Sequence, residues 1–125
     1  MRYSILISII LLNIFILSSC NSVEKITDAN EIIKKEIVFF TDENNVRNET
    51  SYYDAVIELK RRFPEELKEM KIVSKKNEDE NKFSKYNETY PAIVMIDQNQ
   101  VVLKIVGYTD TEDIVIPISN TIEKW

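Results

Sequence analysis

Apolar positions change their spacing along this chain, and each spacing predicts a different element. Tyr3 to Leu17, YSILISIILLNIFIL, is a nearly continuous apolar run, broken only by Ser4, Ser8 and Asn13. Ile37-Val38-Phe39-Phe40 is a β-branched and aromatic run bounded by TDENN, the pattern of a buried strand. Tyr52, Val56, Leu59 and Phe63 then recur at helical spacing. Ser51 with Asp54 three residues on marks the start of that helix, and Pro64 ends or kinks it. Met70 to Val73 predicts a short strand. NEDEN at 77–81 reads as a charged turn, followed by a helical turn or two through Phe83 and Tyr86. Ala92 to Ile96 and Val101 to Val106 are two strands around Asp97-Gln98-Asn99-Gln100, a hairpin turn. Asn99 tolerates the left-handed conformation, so it stands in there for glycine. Ile114, Ile118 and Ile122 recur every four residues, which predicts a helix within Thr111 to Trp125 that Pro117 either delays or bends. Thr27-Asp28 is a cap for a brief helix over Ala29 to Lys35.

Strands alternating with helices and ending in a hairpin predict an α/β fold, a mixed sheet covered by helices. The chain of 125 residues is long enough for one small domain with a real core and too short for two. It holds one cysteine and no histidine. The commonest general base and metal ligand is therefore missing throughout. The carboxylate runs Asp42-Glu43, Glu78-Asp79-Glu80 and Asp110 to Asp113 lack the alternating ligands of a calcium loop and read as solvated surface. No metal, no cofactor and no enzymatic activity is expected. The formal charge is −5, and loss of Arg2 with an N-terminal leader takes it to −6. That argues against nucleic acid as a partner, and against any electrostatic grip on anionic lipid.

The one cysteine closes the apolar run. A positive start, a short apolar stretch and small residues make up a secretory signal, and the run falls just short of the roughly 18–20 residues of a spanning helix. Leu17-Ser18-Ser19-Cys20 resembles the bacterial lipobox, an aliphatic residue and two small ones before cysteine. The resemblance implies a signal peptide over 1–19, cleavage before Cys20, and a diacylglyceryl group on its sulfur, with a second acyl chain such as palmitate on the new amine. At roughly 0.8 kcal/mol per buried CH₂, two chains hold a protein durably to a membrane where one does not. Residues 20–26 are then a lipidated tether, and the chain sits on the extracytoplasmic face of the cell membrane.

From Thr27 to Trp125 the chain resembles thioredoxin, which makes 27–125 a thioredoxin-like domain. Ile37 to Phe40 matches the strand that delivers that family's active-site loop. YNETYPAIVMIDQNQVVLKIVGY, Tyr86 to Tyr108, matches its C-terminal half: a cis proline, a buried strand, a hairpin, and a glycine near the end of the last strand. Here these are Pro91 and Gly107, the only glycine in the protein, whose place in a strand marks a bulge or a close approach. The Cys-x-x-Cys slot of the family falls on Asn44, Asn45, Val46 and Arg47, and its buried acid on Val38. With no sulfur in that slot, thiol–disulfide exchange is excluded.

What the resemblance leaves is a groove. In thioredoxins the backbone before the cis proline pairs with an extended peptide, which here implies Thr89, Tyr90 and Pro91, with Tyr52, Tyr53 and Tyr90 as candidate aromatic anchors, although for Tyr52 or Tyr53 singly ordinary core and rim packing on the helix is the stronger reading. The expected function is that of a redox-inactive lipoprotein of the bacterial envelope that binds a protein or peptide partner. The alternative is a small structural lipoprotein associated with peptidoglycan or a coat. Cys20→Ala is expected to leave the chain uncleaved and without acyl label when cells are fed a clickable fatty acid; a labelled mutant would overturn the anchor.

Overall fold

Two neighbouring strands of this protein, β1 (Lys35–Thr41) and β3 (Ala92–Asp97), are apolar on both faces, so both faces must be covered. In the computed structural model, which describes residues 32–125, a four-stranded sheet runs in the order β2-β1-β3-β4. β2 is Lys71–Ser74 and β4 is Gln100–Val106. β1 pairs with β2 in parallel and with β3 antiparallel, and β3 pairs antiparallel with β4. The parallel pair is joined by a crossover that carries α1 (Thr50–Arg62) and α2 (Pro64–Leu67), with Pro64 in the first turn of α2, where its missing N–H costs nothing. α3 (Thr111–Ile122) closes the chain.

Alternate residues of the central strands feed two cores. Ile37 and Phe39 of β1 with Ile93 and Met95 of β3 meet Tyr52, Leu59, Ile114 and Ile118 from α1 and α3. Val38, Phe40, Val94 and Ile96 point the other way, onto Ile33, Val73 and Phe83. Full burial of side chains this size contributes about 1.5–3 kcal/mol each, so β1 and β3 anchor the fold.

The hairpin turn places both Gln98 (φ 49°) and Asn99 (φ 63°) in the left-handed region, although only Asn99 was expected there. The turn is held from outside. The amides of Gln98 and Asn99 donate to the Lys34 and Ile33 carbonyls at 2.9 and 3.0 Å, and the Asn99 side chain accepts from the Ile33 N–H at 2.8 Å. These bonds explain a correction. The helix expected over Ala29 to Lys35 is absent over 32–34, which have no regular secondary structure and bond the turn, and Lys35 already belongs to β1. Its residues 29–31 lie outside the described residues, as do the leader, Cys20 and the tether.

α3 begins at Thr111, so Pro117 does not delay it. Pro117 leaves only the Asp113 carbonyl without an intrahelical donor, at an exposed position, and its own carbonyl accepts from Thr121 Oγ1 at 2.8 Å. Phe39→Ala is expected to cost about 3–5 kcal/mol in urea unfolding, while Ile57→Ala, on the outer face of α1, stays within about 0.5 kcal/mol. Equal losses would refute this division of core and surface.

Candidate functional site

The candidate site lies at the end of the sheet where β1 and β2 finish, β3 begins and β4 finishes; α1 and α3 both start there. β1 leaves the sheet through Asp42 into two 3-10 turns, Glu43–Glu49, kinked at Asn45. Asp42 builds the first turn. Its carboxylate accepts from the Asn44 N–H at 3.1 Å and from Asn45 Nδ2 at 3.0 Å, while its carbonyl accepts from the Asn45 N–H at 2.8 Å. The Asn44 and Asn45 bonds, then Lys75 at 3.7 Å, hold the Asp42 carboxyl below the usual carboxylate range. Glu43 is also held low, by Lys76 at 2.9 Å first and then by the Ser74 hydroxyl. The Asn44 to Arg47 stretch thus lies exposed in a turn whose flank is tied to the segment after β2.

The second turn is held from inside by Glu49, which is fully buried. Its carboxylate accepts from Thr41 Oγ1 at 2.5 Å and from the Asp42 N–H at 2.6 Å, and the Thr41 hydroxyl shares a 3.0 Å hydrogen bond with the Tyr53 hydroxyl. Glu49 stands immediately before a helix, where an acidic residue is ordinary, so the sequence carries no signal of this role.

The Tyr90–Pro91 peptide bond is cis. The ring of Tyr90 packs edge-on against Phe40 at 6.1 Å, its hydroxyl donates to Glu78 at 2.9 Å, and Lys75 lies 5.8 Å from its centroid. Burial, reinforced by the Glu78 bond and charge, pushes this phenol up to about 12. Phe40 and Lys75 therefore bring Tyr90 to the end of β1, although none of Asn44, Asn45, Val46 and Arg47 hydrogen-bonds Tyr90 or Pro91. The exposed Thr89 has its carbonyl capped by the buried Asn87 side chain. The main-chain N–H and C=O of Tyr90 make no hydrogen bond among the described residues.

Gly107 (φ 77°) finishes this corner. Its N–H donates to the Pro91 carbonyl at 3.0 Å, and its carbonyl accepts from the Tyr52 hydroxyl at 2.7 Å. A Cβ there would meet nothing within 4 Å, so the left-handed backbone, not a close approach, calls for glycine. Tyr52 corrects the expectation of a groove anchor: it is fully buried, stacked 5.9 Å from Phe39, and burial followed by the Glu49 charge pushes its phenol up to about 12. Tyr53 and Tyr90 remain at the surface. Among the described residues no three acidic side chains gather to hold a metal ion, and no helix is long and apolar enough to cross a membrane.

The architecture is thioredoxin-like. It is similar to thioredoxin-2 of the malaria parasite, with a TM-score of 0.51 at 10% identity over 70% of this chain and 82% of that one. The germline-specific thioredoxin Deadhead of Drosophila melanogaster gives 0.47 at 15% identity, over 73% and 80%. No family model matches the chain. In sequence it is 34% identical to the Pal-related lipoprotein of Bacillus subtilis (strain 168), over 99% of this chain and 100% of that protein. The chain belongs to the family of that lipoprotein.

Glu49→Leu is expected to strand the Asp42 N–H, at about 1–3 kcal/mol, and to leave the Thr41 hydroxyl with Tyr53 alone. Glu49→Gln should retain most of the stability, because the Thr41 hydroxyl can turn to donate to Tyr53 and accept from the new amide. Urea midpoints that rank the two the other way would show that Glu49 does not hold the turn through these bonds.

Proposed function

We propose that this protein is a redox-inactive, thioredoxin-like lipoprotein of the bacterial envelope. It is anchored to the outer face of the membrane through a diacylglyceryl group on Cys20, and it binds an extended segment of a protein partner in the groove beside Pro91. The observation that carries the binding role is the main chain of Tyr90, next to the cis proline, which makes no hydrogen bond among the described residues. An extended segment can pair with that N–H and C=O as an added strand does, while side chains on either side select it. The anchor is supported by the Leu17 to Cys20 pattern and by the lipoprotein name of the relative. The absence of any second cysteine supports the redox-inactive reading, since no pair of thiols is available to exchange.

The test places a photo-crosslinking benzoylphenylalanine at Val46 or Tyr108, both exposed at the groove end, or at Ile57 on the outer face of α1. The full lipoprotein is then irradiated in living cells. Discrete adducts are expected at Val46 and Tyr108 and none at Ile57; the same adducts at all three positions, or none at the groove, would end the binding role. The purified protein is expected to reduce insulin no faster than buffer with dithiothreitol alone, and turnover above that level would end the redox-inactive reading.

A further inference from the structure

The two edges of the sheet are protected unequally. β2 is four residues long, carries Lys71 with Glu69 at 3.9 Å, and runs into Lys75 and Lys76. Short length and charge are the usual guards of an edge. β4 is seven residues long and pairs with β3 alone among the described residues. Val101, Val102 and Val106 are exposed along it. Its one charge, Lys104, is drawn over the face of the sheet, where the ammonium donates to the Tyr86 carbonyl at 3.1 Å. Met95 faces Leu103 while Ile96 faces Val101, so the bulge falls on Val102 and Leu103 to Val106 stay regular.

Every second residue of this regular stretch bonds away from β3. The Gly107 N–H donates to the Pro91 carbonyl, which fixes the phase of the ladder. Stepping by two from that pair, Ile105–Ile93 and Leu103–Met95 are the hydrogen-bonded pairs. Lys104 and Val106 therefore turn their main-chain N–H and C=O groups outward.

A second copy of the chain fits this edge. Antiparallel pairing about a two-fold axis at Ile105 sets Lys104 of each copy opposite Val106 of the other, and each pair exchanges both main-chain bonds. An axis at Lys104 would set two lysines directly opposite, which is repulsive. An axis at Val106 would run the pairing into Gly107, whose φ of 77° is not extended. Side chains agree with the first register. Lys104 and Val106 share the face of Val94 and Ala92, so the stem of Lys104 lies along Val106 of the second copy while its ammonium stays on Tyr86. On the other face the two Ile105 side chains, each at the margin of its core, meet in the closer, non-hydrogen-bonded kind of pair. We infer that β4 pairs with β4 of a second copy, joining the two four-stranded sheets into one across a two-fold axis.

The experiment uses the full lipoprotein, whose one native cysteine is Cys20. In membranes carrying Ile105→Cys, oxidation with copper phenanthroline is expected to give a disulfide-linked dimer. The two Cα atoms of such a pair stand about 4.5 Å apart, within disulfide reach. Ile57→Cys, exposed on α1, should crosslink at least about tenfold more slowly, because no pairing holds two copies of it in that geometry. In neutral detergent micelles, sedimentation equilibrium should find the wild-type protein dimeric in the micromolar range. Val106→Glu, facing Lys104 of the second copy, should dimerise at least about tenfold more tightly than Val106→Lys, which repels it. A monomeric wild-type protein would overturn the inference. So would a dimer that the two Val106 variants affect alike, or one that crosslinks as fast through position 57 as through 105.

Discussion

A strand buried on both faces can reach the surface only by turning, and the turn breaks the ladder that satisfied its amides. At the end of β1 the Asp42 N–H and the Thr41 hydroxyl are left inside the protein, where an unmatched donor costs about 1–3 kcal/mol. The carboxylate of Glu49 accepts both. Because Glu49 is also the residue from which α1 starts, one side chain fixes the end of the central strand, the turn after it and the entry of the helix. The proposed groove inherits its shape from that contact. Tyr53 is positioned by Thr41, and Tyr52, one residue earlier, reaches across to Gly107.

Two kinds of interaction then divide the end of the sheet. On the side toward β2, ion pairs from Asp42 and Glu43 to Lys75 and Lys76, with the Tyr90–Glu78 hydrogen bond, tie the turn to the segment after β2. Exposed ion pairs contribute little to stability individually, but these two pairs cancel their own four charges and hold the turn against the segment after β2. On the side toward α1 and β4 no ion pair links the elements among the described residues, and Val46, Tyr53, Val106 and Tyr108 stay exposed. The asymmetry leaves the side toward α1 and β4 as the exposed one.

The strands, the hairpin and α1 were legible in the sequence because their hydrophobic spacing reports burial directly. Pro91 and Gly107 were legible through the order of motifs around them. What escaped was set by contacts between distant segments. Gln98 adopts a left-handed backbone because Ile33 and Lys34 bind the turn, 66 residues apart in sequence for the Ile33–Asn99 bond. The same bonds take 32–34 away from a helix. Tyr52 and Tyr53 are adjacent and chemically identical, so only the packing of α1 decides that one faces the core and the other the groove. The burial of Glu49 was equally hidden, since its pattern is that of any helix start.

The residues that shape the end of the sheet beside Pro91 make demands on the backbone, and none of them depends on sulfur. Pro91 supplies a cis bond, Gly107 supplies a positive φ, and the hydrogen bond between them joins β3 to β4 at the rim. A thiol pair in the Asn44 to Arg47 turn would add chemistry to this frame without building it, since the turn is held by Asp42 and Glu49 from its two ends. Geometry and chemistry are therefore separable here: the frame can present Tyr90 to an extended chain with a turn made of amides, a valine and an arginine. What such a turn loses in reactivity it can replace with side-chain contacts, and Val46 and Arg47 are the two residues of the slot that could supply them.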